Sequence, residues 1–293
     1  MNGTAVLYAL IFLMVAFWSG NYIVGKIALR EMSPLLLAGL RIGFAGVMIL
    51  PLYVWERHTE PRPSGSGRDV LQLLLLGLLG VTLNQLLFIV GLSRTSVAHA
   101  AILIGLTSIQ VLIIARLRGQ EHITARKALG MAIALAGVAV LQAFEPASAT
   151  GATWLGDFFI LLTGLCFALF TVFGKEVTAQ YSTITMNAYA YVAGGVALLP
   201  LTLWEAVRHP LAHISAGAWL AAIYMALFPS VIAYLIYYHA LAHMTASRVS
   251  AFSYLQPVFA SIMGVAILGE HLGAPVIAGG LVILGGVYLA ERG

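Results

Sequence analysis

The sequence predicts an all-α membrane protein of ten transmembrane helices, built as two inverted five-helix repeats with both termini cytoplasmic. Three observations carry that expectation. The first is composition: 61% of the 293 residues are hydrophobic and 9% are charged, with a mean hydropathy of +0.96, whereas soluble domains carry about 25% charge. The second is length. A bilayer core about 30 Å thick needs about 20 apolar residues per helix, and such runs fall at roughly 5–26, 34–55, 70–92, 96–116, 124–143, 154–174, 182–204, 215–240, 245–267 and 273–290. The third is self-similarity. Glu121-His122 recurs as Glu270-His271 (270 − 121 = 149), and the same offset pairs Gly130 with Gly279, Gly137 with Gly286, Gly25-Lys26 with Gly174-Lys175, Leu50-Pro51 with Leu199-Pro200, and Trp55-Glu56 with Trp204-Glu205. An odd number of spans per copy turns the second copy upside down. The repeats run from 1 to 145 and from 152 to 293, meeting at the hydrophilic break EPASATG.

Each span then has its own grounds. The first starts near Ala5 without a basic segment before it and is too long for a signal-peptide core, so it is read as a membrane helix; it carries Trp18, Asn21 and Tyr22. The second follows Ser33-Pro34 and holds Arg41 two turns inside, where a charge is costly in lipid and faces the bundle interior. A structural role for Arg41 is favoured, with binding of a substrate carboxylate second. In the third, the mid-span amides of Asn84 and Gln85 must face protein or water, and Phe88 lies one turn beyond Asn84. The fourth holds His99, and Gly130 and Gly137 of the fifth permit close helix contact. The sixth contains Thr171 and the lone Cys166, a small packing residue, and the end of the seventh repeats that of the second. The eighth sets Tyr234 at the position equivalent to Gln85, then Tyr237, Tyr238 and His239, while its Pro229 can break the helix locally. The ninth bears Tyr254, Gln256 and Pro257, and the tenth is rich in glycine, at Gly279, Gly280, Gly285 and Gly286. His99 and His239 are titratable, with a hydrogen-bonded or interfacial histidine as the favoured reading.

Charge placement sets orientation and excludes several function classes. With a cytoplasmic N-terminus, ten basic residues lie inside (Arg57, Arg62, Arg68, Arg116, Arg118, Arg126, Lys127, Lys175, Arg248, Arg292) against Lys26, Arg30, Arg94 and Arg208 outside. Scattered at span ends, these residues make no nucleic-acid footprint. The eleven acidic residues all fall in loops or within about a turn of a span end, which argues for facilitated diffusion or exchange over a carboxylate proton relay. Gly20 to Lys26 mimics a phosphate-binding loop, but Ile27 replaces the required Ser or Thr and no strand precedes it. The Glu-His pairs lack HExxH spacing and read as hydrated loop residues. No metal site, cofactor or catalytic residue is expected.

Leu255 to Gly286, with its proline-centred LQPVF, Gly-Glu hinge and glycine-rich last helix, resembles the signature of the EamA branch of the drug/metabolite transporter superfamily. Ser33-Pro34 with LLLAGLRIGFAG is similar to that family's second helix, and WSGNYIVGK to its first. Within the superfamily the chain is most similar to the aromatic amino-acid exporters called YddG. The resemblance implies a ten-helix transporter alternating a central cavity between two faces, lined by helices one, three, four, six, eight and nine. Thr107-Ser108 stands where the second copy has Gln256-Pro257, a departure from the family pattern.

The substrate-binding candidates are therefore Trp18, Asn21, Tyr22, Asn84, Gln85, Phe88, His99, Thr171, Tyr234, Tyr237, Tyr238, Tyr254 and Gln256. Aromatic walls with amide and hydroxyl donors suit flat or apolar solutes, whereas strongly anionic ones require Arg or Lys clamps. The expected function is export of aromatic and other neutral amino acids or related small metabolites by a monomer or weak oligomer in a bacterial inner membrane. A broad drug/metabolite exporter, an intramembrane enzyme and a channel are the alternatives.

Overall fold

The computed structural model describes residues 3–59, 67–95, 97–143, 153–178, 180–209, 211–268 and 274–293. Its elements are helices: α1 (Gly3–Ala28), α2 (Pro34–Thr59), α3 (Gly67–Gly77), α4 (Asn84–Leu92), α5 (Val97–Leu117), α6 (Ala125–Ala143), α7 (Trp154–Val177), α8 (Thr183–Arg208), α9 (Ala216–Ala226), α10 (Ala233–His243), α11 (Ala246–Ala251), α12 (Gln256–Leu268) and α13 (Ala274–Glu291). No strand occurs among the described residues, as expected where lipid offers the backbone no partner. Among the described residues six helical stretches are long and apolar enough to cross a membrane: Gly3–Ala28, Pro34–Thr59, Val70–Arg94, Trp154–Val177, Thr183–Arg208 and Ala216–His243. Leu103–Leu117 and Ile277–Glu291 are shorter apolar helices. Side chains such as Val47, Leu71, Val196 and Leu281 are exposed on the outer surface, the arrangement a lipid solvent favours.

Local chemistry fixes several helix starts. Thr153, Ser182 and Ser215 cap α7, α8 and α9 by accepting the amides of Gly156, Thr185 and Ala218. Two spans are interrupted, one at Pro229, where the sequence allowed a local break, and one where no break was expected. A π-helical turn at Leu78–Leu83 joins α3 to α4, and another at Leu227–Ile232 joins α9 to α10, separated by the offset already seen in the sequence. Pro229 lies in the second, but the first has no proline, so proline is not their common cause. A π turn leaves carbonyls without their usual intrahelical donors. Here other helices supply them: Tyr234 Oη donates to Gly80 O at 2.9 Å, Trp18 Nε1 to Pro229 O at 3.0 Å and Asn187 Nδ2 to Val231 O at 2.9 Å. The break near Pro257 is a 3-10 turn at Phe252–Leu255, and the proline itself sits in the first turn of α12, where no intrahelical amide is needed.

Two antiparallel seams join residues of the first repeat to those of the second. In α2–α8, Ser33 bonds Glu205 at one end, and Ser182 Oγ donates to Glu56 Oε2 at 2.7 Å at the other. Both partners in each bond differ from those in the other by the same sequence offset. Between them Gly46 meets the Tyr191 backbone, and a methyl group on it would lie 3.0 Å from the Tyr191 carbonyl oxygen. In α6–α13 a methyl on Gly130 would lie 2.4 Å from the Ala290 nitrogen, and one on Gly286 2.4 Å from the Ala134 nitrogen. A methyl on Gly137 would lie 2.8 Å from the Ile283 nitrogen and 3.0 Å from the Gly279 carbonyl oxygen, whereas one on Gly285 would meet nothing within 4 Å.

Lysines secure helix ends within each repeat. Lys26 Nζ donates to the Leu92 and Thr95 carbonyls at 2.6 and 2.8 Å, and Lys175 Nζ makes the equivalent bonds to Leu241 and, at 2.7 Å, Met244. A cation at a helix C-terminus is favourable. Glu121 departs from the expectation of a hydrated loop residue: it is buried, whereas its neighbour His122 is exposed. Lys127 Nζ pairs with it at 2.8 Å, and the Ser247 backbone amide donates to it at 3.0 Å. Burial pushes the Glu121 carboxyl up, but the hydrogen bonds from Lys127 and Ser247 outweigh that and hold it below its ordinary value. Glu270-His271 and the break at 145–151 lie outside the described residues.

Candidate functional site

Between the seams lies a cavity of about 80 Å³. Helix α1 contributes Trp18, Asn21 and Tyr22, α4 contributes Asn84, Gln85 and Phe88, and α5 contributes Ile104 and Thr107. Thr163 and Phe167 come from α7, Tyr234 from α10, Ser253 and Gln256 from the 3-10 turn and start of α12, and Arg41 from α2. Helix α2 was not among the cavity helices the resemblance implied. Four pairs in this lining are equivalent under the repeat offset: Trp18 with Phe167, Gln85 with Tyr234, Ile104 with Ser253, and Thr107 with Gln256.

The π turns help position this wall. Asn84 and Gln85 follow the first turn directly, and Tyr234 stands two residues past the end of the second. Asn84 Nδ2 donates to Thr163 O at 3.0 Å, Tyr22 Oη to Gln256 Oε1 at 3.0 Å, and Gln85 Nε2 to the Tyr191 hydroxyl. These bonds fix the amide orientations across helices and meet the cost of burying them. Arg41 is 3% exposed, and its Nε donates to Ser230 Oγ at 2.9 Å. Arg41 Nη1, Asn21 Oδ1 and Thr107 Oγ1 are buried without a hydrogen-bond partner. No Asp or Glu is among the described lining residues.

Eight of the sequence candidates meet in this lining: Trp18, Asn21, Tyr22, Asn84, Gln85, Phe88, Tyr234 and Gln256. Thr171, Tyr237, Tyr238 and Tyr254 are not part of it. Tyr237 and Tyr238 belong to an aromatic layer behind the wall, where Phe167 lies 5.0 Å from Tyr237, Phe170 5.5 Å from Tyr238 and Trp18 5.5 Å from Tyr237, ring centre to ring centre. The Thr171 and Tyr237 hydroxyls share a 2.5 Å hydrogen bond in that layer. Tyr254 packs against Gly105 of α5. The His99 side chain lies outside the described residues. Sequence reasoning missed Ile104, Thr107, Thr163, Phe167 and Ser253 as lining residues. The offset was a signal for Phe167, the counterpart of Trp18, and for Thr107, the counterpart of Gln256.

The model of the EamA-like transporter family matches the chain twice, at residues 5–142 and 154–291. The chain belongs to the EamA-like transporter family. It is thus a multi-pass membrane transporter, and its relatives are named accordingly. An uncharacterized transporter of Archaeoglobus fulgidus is 29% identical to this EamA-like chain over 283 residues, 96% of each protein. The uncharacterized transporter YyaM of Bacillus subtilis is 28% identical over 275 residues, covering 92% of this chain and 88% of YyaM. The uncharacterized inner membrane transporter YedA of Escherichia coli is 28% identical over 269 residues, covering 91% and 84%. A solved crystal structure matches the EamA-like fold with a TM-score of 0.78, covering 98% of this chain and 97% of the other at 16% identity, a likeness of fold alone.

Proposed function

We propose that this EamA-like transporter carries aromatic and other neutral amino acids, or related small metabolites, out across a bacterial inner membrane by alternating access of the central cavity. The observation that carries the reading is the wall itself: Trp18, Tyr22, Phe88, Phe167 and Tyr234 offer ring faces, Asn84, Gln85 and Gln256 offer amides, and no carboxylate is among the described lining residues. Flat apolar side chains gain by burial and stacking in such a site. The missing carboxylate favours facilitated diffusion or exchange over a carboxylate proton relay.

The architecture that serves this function is ten spans in two inverted repeats, 1–145 and 152–293, with both termini cytoplasmic. Supporting it are the equivalent π turns, the reciprocal Ser33–Glu205 and Ser182–Glu56 bonds and the antiparallel seams, all of which relate one half to the other end for end. The similarity to the YddG exporters points to the same substrate class. The test is counterflow in proteoliposomes: vesicles preloaded with unlabelled phenylalanine should accumulate external labelled phenylalanine, leucine or tryptophan transiently. Protein-dependent accumulation of none of them refutes the reading.

A further inference from the structure

We infer that the cavity selects solutes bearing a single carboxylate, which Arg41 receives through its unpartnered guanidinium edge; the inference rests on the reading of the cavity as the solute site. Arg41 is 3% exposed and lines the cavity, and its one hydrogen bond among those of the described side chains, from Nε to Ser230 Oγ at 2.9 Å, fixes the guanidinium from one side only. Nη1 has no acceptor and is shielded from water. A buried guanidinium N–H without a partner carries its full desolvation cost, and a buried cation without a counter-charge carries more. No Asp or Glu among the described residues lines the cavity to offset either. The remaining lining groups are amides, hydroxyls and hydrocarbon, so an anion must be brought by the solute.

The number of charges limits what that anion is. One guanidinium with one unpartnered edge matches one carboxylate, whereas a phosphate dianion calls for at least a second cation, and Arg41 is the only Lys or Arg among the described lining residues. Asn21, also a lining residue, has a buried and unpartnered Oδ1, an acceptor suited to an ammonium group. A zwitterion therefore satisfies both groups, and its apolar side chain is left to the rings. Arg41 is thus a binding and selectivity residue as well as a staple between α2 and the second π turn.

The test measures equilibrium binding to purified full-length protein, by calorimetry, of four compounds with the same ring: phenylalanine, its amide, phenethylamine and 3-phenylpropionate. Phenylalanine is expected to bind at least about tenfold more tightly than the amide and phenethylamine, which lack the carboxylate, with 3-phenylpropionate losing less than either. Arg41→Gln should abolish this discrimination and Arg41→Lys should keep part of it. Equal binding of phenylalanine and its amide, discrimination that survives in Arg41→Gln, or failure of all four to bind overturns the inference. Because the wild-type series stands alone, an unfolded Arg41 variant does not rescue it. Carboxylate-selective binding without counterflow refutes the transport reading and leaves this inference, while counterflow that accepts the amide as readily as phenylalanine does the reverse.

Discussion

The Tyr234 hydroxyl donates to the Gly80 carbonyl across 2.9 Å, tying the cavity wall of the second repeat to the π turn of the first. Trp18 makes the converse tie, from the first repeat to Pro229 in the second. Tyr234→Phe removes one donor and leaves a buried carbonyl unmet, so thermal unfolding in detergent should show a loss of about 1 kcal/mol. An unchanged melting temperature denies that this bond holds the turn.

Gly286 and Gly285 are adjacent and should respond in opposite ways. A side chain at Gly286 runs into the Ala134 backbone, which cannot withdraw without parting α6 from α13. Gly286→Leu should cost about 3 kcal/mol or more. Gly285→Ala meets open space and should be neutral, or raise stability by up to about 1 kcal/mol through helix propensity. Comparable losses in the two variants contradict the seam geometry.

Glu121 gives stability a dependence on acid. Its carboxyl is held below its ordinary value of 4.5 in the folded protein, so the stabilisation is fully present above that value and is lost as pH falls through the lower, folded one. Melting temperatures between about pH 5 and pH 3 should therefore fall more steeply in the wild type than in Glu121→Gln. Parallel slopes across that range remove Glu121 from the account.

The α2–α8 seam is bonded at both ends in one and the same structure, which suits an axis and not a gate. Joining Ser33→Cys to Glu205→Cys with a short bifunctional thiol reagent should accordingly leave counterflow intact. Loss of exchange on cross-linking, restored on reduction, shows instead that this seam must open.

Much of the fold was legible because lipid leaves the backbone so few options: long apolar runs must be helices, and an offset shared by Gly130 with Gly279 and Lys26 with Lys175 pairs them across the chain. Asn84 and Gln85 were legible for the related reason that amides in hydrocarbon demand company. Pro229 marked the second π turn as a possible break, but the first was not legible, since a shifted hydrogen-bond register leaves no residue signature where the copy lacks the proline. Tyr237 and Tyr238 were misplaced because a helix apolar on every face gives no contrast by which to orient it. Arg41 and Glu121 were read from their depth along the chain, whereas their surroundings depend on Ser230 and Ser247, far away in sequence.

The two seams are made of like parts: serine to glutamate at either end of one, glycine against backbone along the other. The cavity wall between them is not, for Trp18 faces the role of Phe167, Gln85 that of Tyr234 and Thr107 that of Gln256. A unit paired with an identical copy of itself would present a solute with the same surroundings whichever way round it entered. With both units encoded in one polypeptide, each wall is free to diverge, and the cavity acquires two unlike sides.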